Sequence, residues 1–419
     1  MTGLHRLLSR VDRGDLDWLV AIVWPPSGGR TASPDPRRAA DRSTHERYVV
    51  FPRADRPLLV LPLLGRRATV RALLARSALQ SRANLLLRAA AAAAAVLGFA
   101  RLPVGRLTVA RRHDATPAPP EEPLLELLGR QLGATVSALV VLGPRDANRK
   151  PVLELVDETG VCVGFAKIGW NAPTRALVDN EARSLRRLLD GPPAADLVQV
   201  PAVLMHRSVG DLTVLVTAPM PRKARAWPNA AAPSTAAVAA TAAALSPTGR
   251  VEEVPLVALG LWERQRAELR GDCRGETAAG ILLQALDAAL GAAPHDVSVP
   301  VGGWHGDWAP WNLATVDGQA WAWDWEHASP DMPVGFDALH YRFAVLLHVD
   351  RLPTAAAVDR LRNGADALLT ALGVPAEATG ALVTGYLVER WLRAHRLRHD
   401  GGGWDPVIHP AVADALAVG

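Results

Sequence analysis

Three polar side chains of the kind that phosphoryl transfer requires lie within residues 304–326. Asp307 and Asn312 are five positions apart, and Asp324 follows twelve positions later. Transfer of a γ-phosphoryl group needs Mg²⁺, which prefers a few hard oxygen ligands, and a carboxylate that accepts the proton of the incoming hydroxyl. One aspartate, one asparagine and a second aspartate therefore provide the residue types for one base and two metal ligands.

A predicted β-hairpin connects these groups. Asp317-Gly318 separates two short runs, Leu313–Val316 and Gln319–Trp323, and an Asp-Gly pair in that context favours a two-residue turn with positive φ at both positions. Such a hairpin would bring Asp324 back beside the two earlier groups. The alternative interpretation is a tryptophan-rich hairpin whose polar residues only cap turns; the spacing of the polar groups favours the chemical interpretation.

Upstream, three apolar runs separated by polar turns predict an antiparallel meander. Lys167 lies near the end of the third run, and a helix predicted over about residues 175–189 contains Glu181. The three runs are Ser137–Leu142, Pro151–Val156 and Val161–Ile168. The chain has only three lysines among its 46 basic residues, so this lysine is informative. Kinases use a strand lysine on the phosphates, held by a glutamate from the next helix; the alternative is a surface lysine.

These motifs resemble those of the aminoglycoside phosphotransferase-like kinases, whose pattern reads His-Gly-Asp-x4-Asn and then a hydrophobic residue followed by Asp-Trp-Glu. The resemblance implies an α+β, two-lobed protein-kinase-like fold with a small antiparallel N-lobe and a mostly helical C-lobe. It implies that Asp307 is the catalytic base and that Asn312 and Asp324 hold Mg²⁺. It further implies that His305 and Asp337 support the catalytic loop.

The resemblance also implies a nucleotide-binding hinge at Thr217–Pro221, in which Ala218 and Met220 would flank the adenine. The turn at 143–149 contains a single glycine, a departure from protein kinases that the resembling family commonly shares. The implied activity is transfer of the γ-phosphate of ATP or GTP to a hydroxyl of a small molecule, such as a sugar or an aminoglycoside. The alternative is a non-catalytic pseudokinase adaptor acting at a membrane or polyanion.

The composition changes along the chain and predicts four segments. The predicted order is a basic α+β N-terminal unit at 1–112, a proline-rich linker at 113–123, the N-lobe with its hinge at 124–221, and a helical C-lobe with the catalytic loop and acceptor site at 222–419. Within the first segment, the apolar runs predict strands at Trp18–Val23, Tyr48–Phe51, Leu58–Leu61 and Leu107–Ala110, and helices at 66–80 and 82–98.

Charge is unevenly distributed. Residues 48–112 contain twelve arginines and one acid, a net +11, whereas residues 113–419 carry −9. The basic segment predicts weak, salt-sensitive contact with an anionic membrane surface. Nucleic acid is not expected as a partner, because few aromatic residues accompany the arginines and no nucleic-acid-binding motif is present.

The remaining features are consistent with a cytoplasmic protein. Two cysteines do not provide a disulfide framework, the charged start does not fit a signal peptide, and the longest apolar run, Ala89–Ala100, is too short to span a bilayer. Four histidines lack metal-ligand spacing and are interpreted as ordinary surface or core residues: His340, His348, His395 and His399.

Overall fold

The structure is a computed structural model that describes residues 13–25, 30–33, 44–75, 82–99, 104–111, 123–142, 149–191, 198–228, 232, 234–271, 275–399 and 408–417. The distribution of contacts divides the chain into two compact units. The first unit comprises Met1–Asp179 and Ala202–Arg222, and the second comprises Asn180–Pro201 and Lys223–Gly419.

The first unit is built on an antiparallel sheet with nine strands in the part of the chain described. Their order across the sheet is β1-β4-β2-β3-β5-β6-β7-β9-β8. The strands are β1 Arg30–Ser33, β2 Thr44–Arg53, β3 Arg56–Pro62, β4 Gly105–Arg111, β5 Val136–Val141, β6 Val152–Asp157, β7 Cys162–Gly169, β8 Val203–Val209 and β9 Leu212–Thr217. The strands predicted between residues 48 and 168 are all present, as β2 to β7.

Within the described residues, five helices accompany this sheet: α1 Arg13–Val23, α2 Arg66–Leu74, α3 Arg82–Leu97, α4 Leu124–Leu132 and α5 Ala172–Asp190. The last of them contains the boundary between the two units. The strand predicted at Trp18–Val23 was wrong, because those residues form the second half of α1. Its buried residues Leu16, Leu19 and Val23 recur at helical spacing, a period that becomes visible only when the residues before Trp18 are included.

The N-terminal strands and the strands of the expected N-lobe belong to the same sheet. β3 pairs with β5 through Leu59 opposite Val141 and Val60 opposite Val140. A buried ion pair adds to this junction, since Arg88 of α3 donates to Glu154 of β6 over 2.7 Å. Most of the linker expected at 113–123 lies outside the described residues, but the segments on its two sides share one sheet and one apolar core.

The second unit is mainly helical. Its helices are α6 Thr235–Leu245, α7 Gly260–Arg270, α8 Thr277–Ala292, α9 Phe336–Ala344, α10 Thr354–Thr370, α11 Thr379–His399 and α12 Ile408–Ala417. A π-helical turn, Val345–Val349, extends α9. Two small antiparallel sheets are formed by β10 Arg225–Ala226, β11 Glu252–Pro255, β12 Ser298–Trp304, β13 Leu313–Val316, β14 Gln319–Ala322 and β15 Ser329–Pro333.

The core of the second unit is formed by side chains from its helices, with Phe336, Tyr386 and Trp391 among its fully buried aromatic residues. An antiparallel sheet in one unit and a mostly helical second unit confirm the predicted α+β fold class. No helix in the described part of the chain is long and apolar enough to cross a membrane.

Candidate active site

The loop that carries Asp307 begins where β12 ends and is followed by the predicted hairpin. β13 and β14 pair antiparallel, and Asp317 and Gly318 take φ values of 50° and 88°, so the Asp-Gly turn prediction is confirmed. The hairpin returns the chain to the loop, because the backbone N–H of Trp323 donates to the carbonyl oxygen of Asn312 over 3.3 Å. Because Trp323 contacts Asn312 directly, the hairpin brings the next residue, Asp324, back to the loop that carries Asp307.

His305 is a buried internal support of this loop. Its Nδ1 accepts a hydrogen bond from the backbone N–H of Asp307 over 3.1 Å, and its Nε2 lies 3.0 Å from the carbonyl oxygen of Trp323. Burial lowers the pKa of His305, which favours the neutral ring with the proton on Nε2. The ring also packs against Trp325, with ring centres 4.3 Å apart. His305 therefore joins the start of the loop to the end of the hairpin.

Asp337, at the start of α9, supports the same loop from below. Its two carboxylate oxygens accept from the backbone N–H groups of His305 and Gly306, over 2.7 and 3.0 Å. Burial raises the pKa of Asp337 to about 7, although both hydrogen bonds act in the opposite direction. Gly306 has a φ of 84°, and a side chain there would collide with the carbonyl oxygen of His327. Arg393 of α11 donates to the carbonyl oxygen of Gly306 over 2.6 Å.

The Asp307 carboxylate is held on both oxygens. Asn312 Nδ2 donates to Oδ2 over 2.8 Å and to the backbone carbonyl of Asp307 over 2.9 Å, while His340 Nε2 lies 2.9 Å from Oδ1. Burial alone would raise the pKa of Asp307, but the hydrogen bond from His340 and the nearby Arg390 outweigh it and hold the pKa well below its usual range. The side chain is nevertheless 28% exposed, so a ligand can reach an ionised carboxylate of fixed orientation.

The interpretation of His340 as an ordinary histidine overlooked this contact. His340 projects from α9 one turn after Asp337, and its Nδ1 lies 3.1 Å from the hydroxyl of Tyr386 on α11. Burial and the charge of Arg390 lower the pKa of His340 to about 4, so the ring is neutral near pH 7. The consistent proton arrangement has Tyr386 donating to His340 and His340 donating to Asp307. No local motif identified His340 as a site residue. The signal that could have done so is its spacing of three from Asp337, which places both residues on one helix face.

A second cluster consists of three carboxylates. Glu181, Asp324 and Glu326 each offer an oxygen, and these oxygens all lie within 4.8 Å of one another. Asn180 helps to fix the arrangement, because its amide donates to the backbone carbonyls of Glu326 and Ala328 over 3.0 and 2.8 Å. Asp324 has a left-handed backbone conformation, with φ of 69°, which is uncommon for a residue with a side chain and better tolerated by Asp and Asn. The backbone thus orients this carboxylate.

The donor set of this cluster fits a hard divalent cation. Several carboxylate oxygens at short mutual distances are the ligands that Mg²⁺ or Ca²⁺ takes, and a cation would offset the repulsion between like charges. Of the two metal ligands predicted, Asp324 lies in the cluster. Asn312 uses its amide nitrogen on Asp307, which leaves its carbonyl oxygen as the atom that a metal would take. Glu181, predicted as the partner of Lys167, is a member of the carboxylate cluster.

The residues predicted to bind the nucleotide lie mainly in the first unit. Lys167 is on β7, opposite Val152 and Leu215 in the neighbouring strands. The backbone N–H of Ala218 donates to the carbonyl oxygen of Ala202 over 2.8 Å and is therefore already used. Met220 is half-buried, and no described residue accepts a hydrogen bond from its backbone N–H. Lys167 belongs to the first unit and Glu181 to the second, so their pairing stays a prediction.

Comparisons with known proteins find similarity among solved structures. No family model matches the chain, and no curated protein matches it significantly. Among solved structures, it is similar to aminoglycoside phosphotransferase APH(4)-Ia, with 13% identity, a TM-score of 0.45, and coverage of 70% of this chain and 97% of the other. It is also similar to choline kinase LicA from Streptococcus pneumoniae, with 12% identity, a TM-score of 0.41, and coverage of 70% and 99%.

A third similar structure is the amicoumacin kinase hAmiN in complex with AMP-PNP, Ca²⁺ and Ami, with 13% identity, a TM-score of 0.40, and coverage of 68% of this chain and 88% of the other. Identities this low and TM-scores below 0.5 carry no information about its activity or its substrate, which must be argued from the site itself.

Proposed function

We propose that this protein is a phosphotransferase that moves the γ-phosphate of ATP or GTP to a hydroxyl of a small molecule. The observation that carries the proposal is the environment of Asp307, an accessible carboxylate whose two oxygens are fixed by Asn312 and His340. A carboxylate held in this way can orient a hydroxyl and accept its proton. The carboxylate cluster that contains Asp324 supplies the second requirement, a place for a divalent cation.

In the proposed mechanism, Asp307 accepts a hydrogen bond from the acceptor hydroxyl and then its proton. Its pKa is low, so it is a weak base that takes the proton late, after the bond to phosphorus has largely formed. Such timing suits phosphoryl transfer, in which positioning and charge stabilisation contribute more than early deprotonation. His340 and Asn312 restrict rotation of the carboxylate, so that one lone pair faces the hydroxyl.

Asp324 and the carbonyl oxygen of Asn312 would hold Mg²⁺, with Glu181 and Glu326 available as further oxygen ligands. When bound there, a divalent cation would neutralise charge on the phosphates and on the transferred group. The carboxylates of the chain would hold it in place. This assignment extends the predicted pair of ligands by the two glutamates that the structure brings within 4.8 Å of Asp324.

For the nucleotide, we propose that Lys167 contacts the phosphates and that Met220 provides the hinge amide for the base. The engagement of the Ala218 amide with Ala202 favours Met220 over Ala218 as the donor. For the acceptor, Trp311 is 47% exposed in the catalytic loop and makes an edge contact with His348 at 5.3 Å. An exposed tryptophan in the same loop as the proposed base offers an apolar face to a sugar ring or a similar cyclic compound.

The test is transfer of radiolabelled γ-phosphate to a panel of small hydroxyl compounds by the full-length protein with Mg²⁺. We expect the wild-type protein to label at least one acceptor, and Asp307→Asn to lower kcat by about 10²–10⁴-fold, the usual contribution of a general base. Asn keeps the shape of the side chain and removes the charge.

The matched control is Asp317→Asn, which makes the same chemical change in the neighbouring hairpin turn. The Asp317 side chain is 69% exposed, its ion-pair partner among the described residues is the exposed Lys223, and Asn tolerates its positive φ. We expect this variant to keep full activity. Wild-type transfer that is unchanged in Asp307→Asn would refute the proposed base. Magnesium-dependent nucleotide binding with no transfer to any acceptor would favour the pseudokinase adaptor instead.

A further inference from the structure

A pocket of about 450 Å³ lies in the first unit, away from every residue discussed so far in connection with catalysis. Segments of β2 and β4 line it on one side, and the start of α2 and the end of α3 line it on the other. The volume is within the range of small-molecule sites. Since a water molecule takes about 30 Å³ in the liquid, this pocket has room for an organic ligand.

The pocket is strongly basic. Arg47, Arg66 and Arg106 line it, and no aspartate or glutamate is among its described lining residues. All three arginines are exposed, and within the described part of the chain none of them forms an ion pair. Three guanidinium groups around one cavity repel one another unless an anion lies between them, and each presents several donors in a planar arrangement suited to oxyanions.

The start of α2 adds a second source of positive potential. Gly65 occupies the N-cap position without a side-chain cap, and the first turn contains no acidic residue. It contains Arg66 and Arg67 instead, although the N-terminal end of a helix already carries a partial positive charge and favours anions. The helix thus begins in an arrangement that a bound anion would stabilise.

Two threonines add polar groups to the wall of the pocket. Thr69 and Thr108 line it, and these residues are only 4% and 7% exposed. Neither hydroxyl oxygen is an enclosed atom without a partner, and no described residue forms a hydrogen bond with either one. Both hydroxyls are therefore open to the cavity, where they can donate to or accept from a ligand.

The rest of the wall is apolar. Leu64, Ala95, Phe99 and Leu107 line the cavity, and Phe99 and Leu107 are also part of the buried core. An inorganic anion alone would leave this surface unused. A ligand that combines an anionic group with an apolar body would match both parts of the pocket.

We propose that this pocket binds an organic phosphomonoester, with the phosphate between the three arginines and the start of α2, and the apolar body against Leu64 and Phe99. A phosphate fits better than a carboxylate, because it presents more acceptor sites. The pocket's donors, which are three guanidinium groups, the first amides of α2 and two hydroxyls, outnumber the lone pairs of a carboxylate. Neither the nucleotide nor the acceptor of the proposed phosphotransferase is involved, so the two proposals stand or fall separately.

The experiment is isothermal titration calorimetry of the full-length protein with three probes: hexyl phosphate, hexanol and inorganic phosphate. We expect hexyl phosphate to bind at least about tenfold more tightly than either fragment, since only it engages both the basic and the apolar wall. Hexanol binding as tightly as hexyl phosphate would show an ordinary apolar cavity and overturn the proposal. No detectable binding of hexyl phosphate would overturn it as well.

Matched variants place the ligand. Arg66→Gln and Arg67→Gln remove the same charge from the same helical turn, but only Arg66 lines the pocket. We expect Arg66→Gln to weaken hexyl phosphate binding by about tenfold or more, the usual effect of one charge-assisted hydrogen bond, and Arg67→Gln to change it by less than about twofold. Thr69→Val, which keeps the side-chain shape, should also weaken binding. Equal losses in Arg66→Gln and Arg67→Gln would mean non-specific attraction and contradict the proposal.

Competition identifies the source of the phosphate. Phosphatidylcholine vesicles containing phosphatidic acid should displace hexyl phosphate if the pocket accepts a lipid headgroup, and should leave its binding unchanged if the ligand is a soluble phosphomonoester. Either result supports a phosphate site. Vesicle binding that Arg66→Gln does not affect, in a protein that binds no hexyl phosphate, would refute it.

Discussion

Two clusters in the second unit bring carboxylates to the same catalytic stretch, but they are built in opposite ways. Both oxygens of Asp307 accept hydrogen bonds from neutral side chains of the chain itself, Asn312 and His340. The other cluster gathers three carboxylates, those of Glu181, Asp324 and Glu326, within 4.8 Å. The first arrangement is complete without a ligand and fixes one reactive group, whereas the second concentrates negative charge that a cation would neutralise. The comparison distinguishes the proposed base from the proposed metal site.

The largest expected effect concerns the response to divalent cations. Asp324→Asn removes one charge from the carboxylate cluster, and we expect it to abolish the stabilisation of the protein by Mg²⁺. For the wild-type protein that stabilisation is about 2.7 kcal/mol when the free ion is a hundredfold above its Kd. Differential scanning fluorimetry with and without Mg²⁺ measures it directly and needs no activity assay.

Asp307→Asn is the matched variant for this measurement, because it makes the same substitution in the other cluster. It should keep the Mg²⁺-dependent shift in melting temperature. A Mg²⁺ shift that survives in Asp324→Asn, or that disappears equally in both variants, would remove the distinction between a base and a metal site.

A smaller effect is expected from the support of the base. His340→Leu removes the donor to Asp307, and we expect kcat to fall by about tenfold to a hundredfold with little change in KM, since a hydrogen bond to a charged group contributes about 1.5–3 kcal/mol. His340→Gln keeps a donor and should recover part of the activity. The effect of His340→Leu should largely vanish when Asp307 is already Asn, as expected for residues that act together. Additive losses would show that His340 acts elsewhere.

The smallest expected effect is that of pH. The pKa of Asp307 is held well below its usual range and that of His340 is lowered to about 4, so both groups keep the same protonation state as the pH rises from about 5 to 8. We therefore expect Asp307 and His340 to place the acid limb of the kcat profile below about pH 5. Asp337, whose pKa burial raises to about 7, adds its own titration near that value, so the profile is measured for the wild-type protein and for Asp337→Asn. A rise through pH 6–7 that persists in Asp337→Asn would show that His340 titrates there and does not stay neutral.

Local sequence signals predicted much of this architecture. Apolar runs between polar turns predicted the strands from β5 to β7, and the Asp-Gly pair predicted the β13–β14 hairpin, because both features depend on neighbouring residues. The strand predicted at Trp18–Val23 failed for the corresponding reason, since the helical period of α1 begins five residues earlier. Helices and strands were predicted correctly where the apolar repeat lay entirely within the segment used for the prediction.

The interior of the site could not be predicted in the same way. His340 and Tyr386 lie 33 and 79 residues after Asp307. Arg393, which donates to the carbonyl oxygen of Gly306, lies 87 residues after Gly306. These contacts depend on how α9 and α11 pack, and nothing in the local pattern of either helix reports it. The same limit applies to Glu181. Its place on a helix was predicted, but its position beside Asp324 and Glu326 is a consequence of tertiary structure.

The continuity of the nine-stranded sheet has a practical consequence for dissecting the protein. Deletion of residues 1–112 would remove β3, the neighbour of β5 in the sheet. The free edge of β5 would then be unpaired, and such an edge is a template for aggregation. It would also remove Arg88 and leave the buried Glu154 carboxylate without its guanidinium, a loss that typically costs about 3–5 kcal/mol. We therefore expect the protein without residues 1–112 to precipitate, or to exchange its amide hydrogens rapidly throughout β5 and β6. On this view, the N-terminal region is part of the folding unit that carries Lys167.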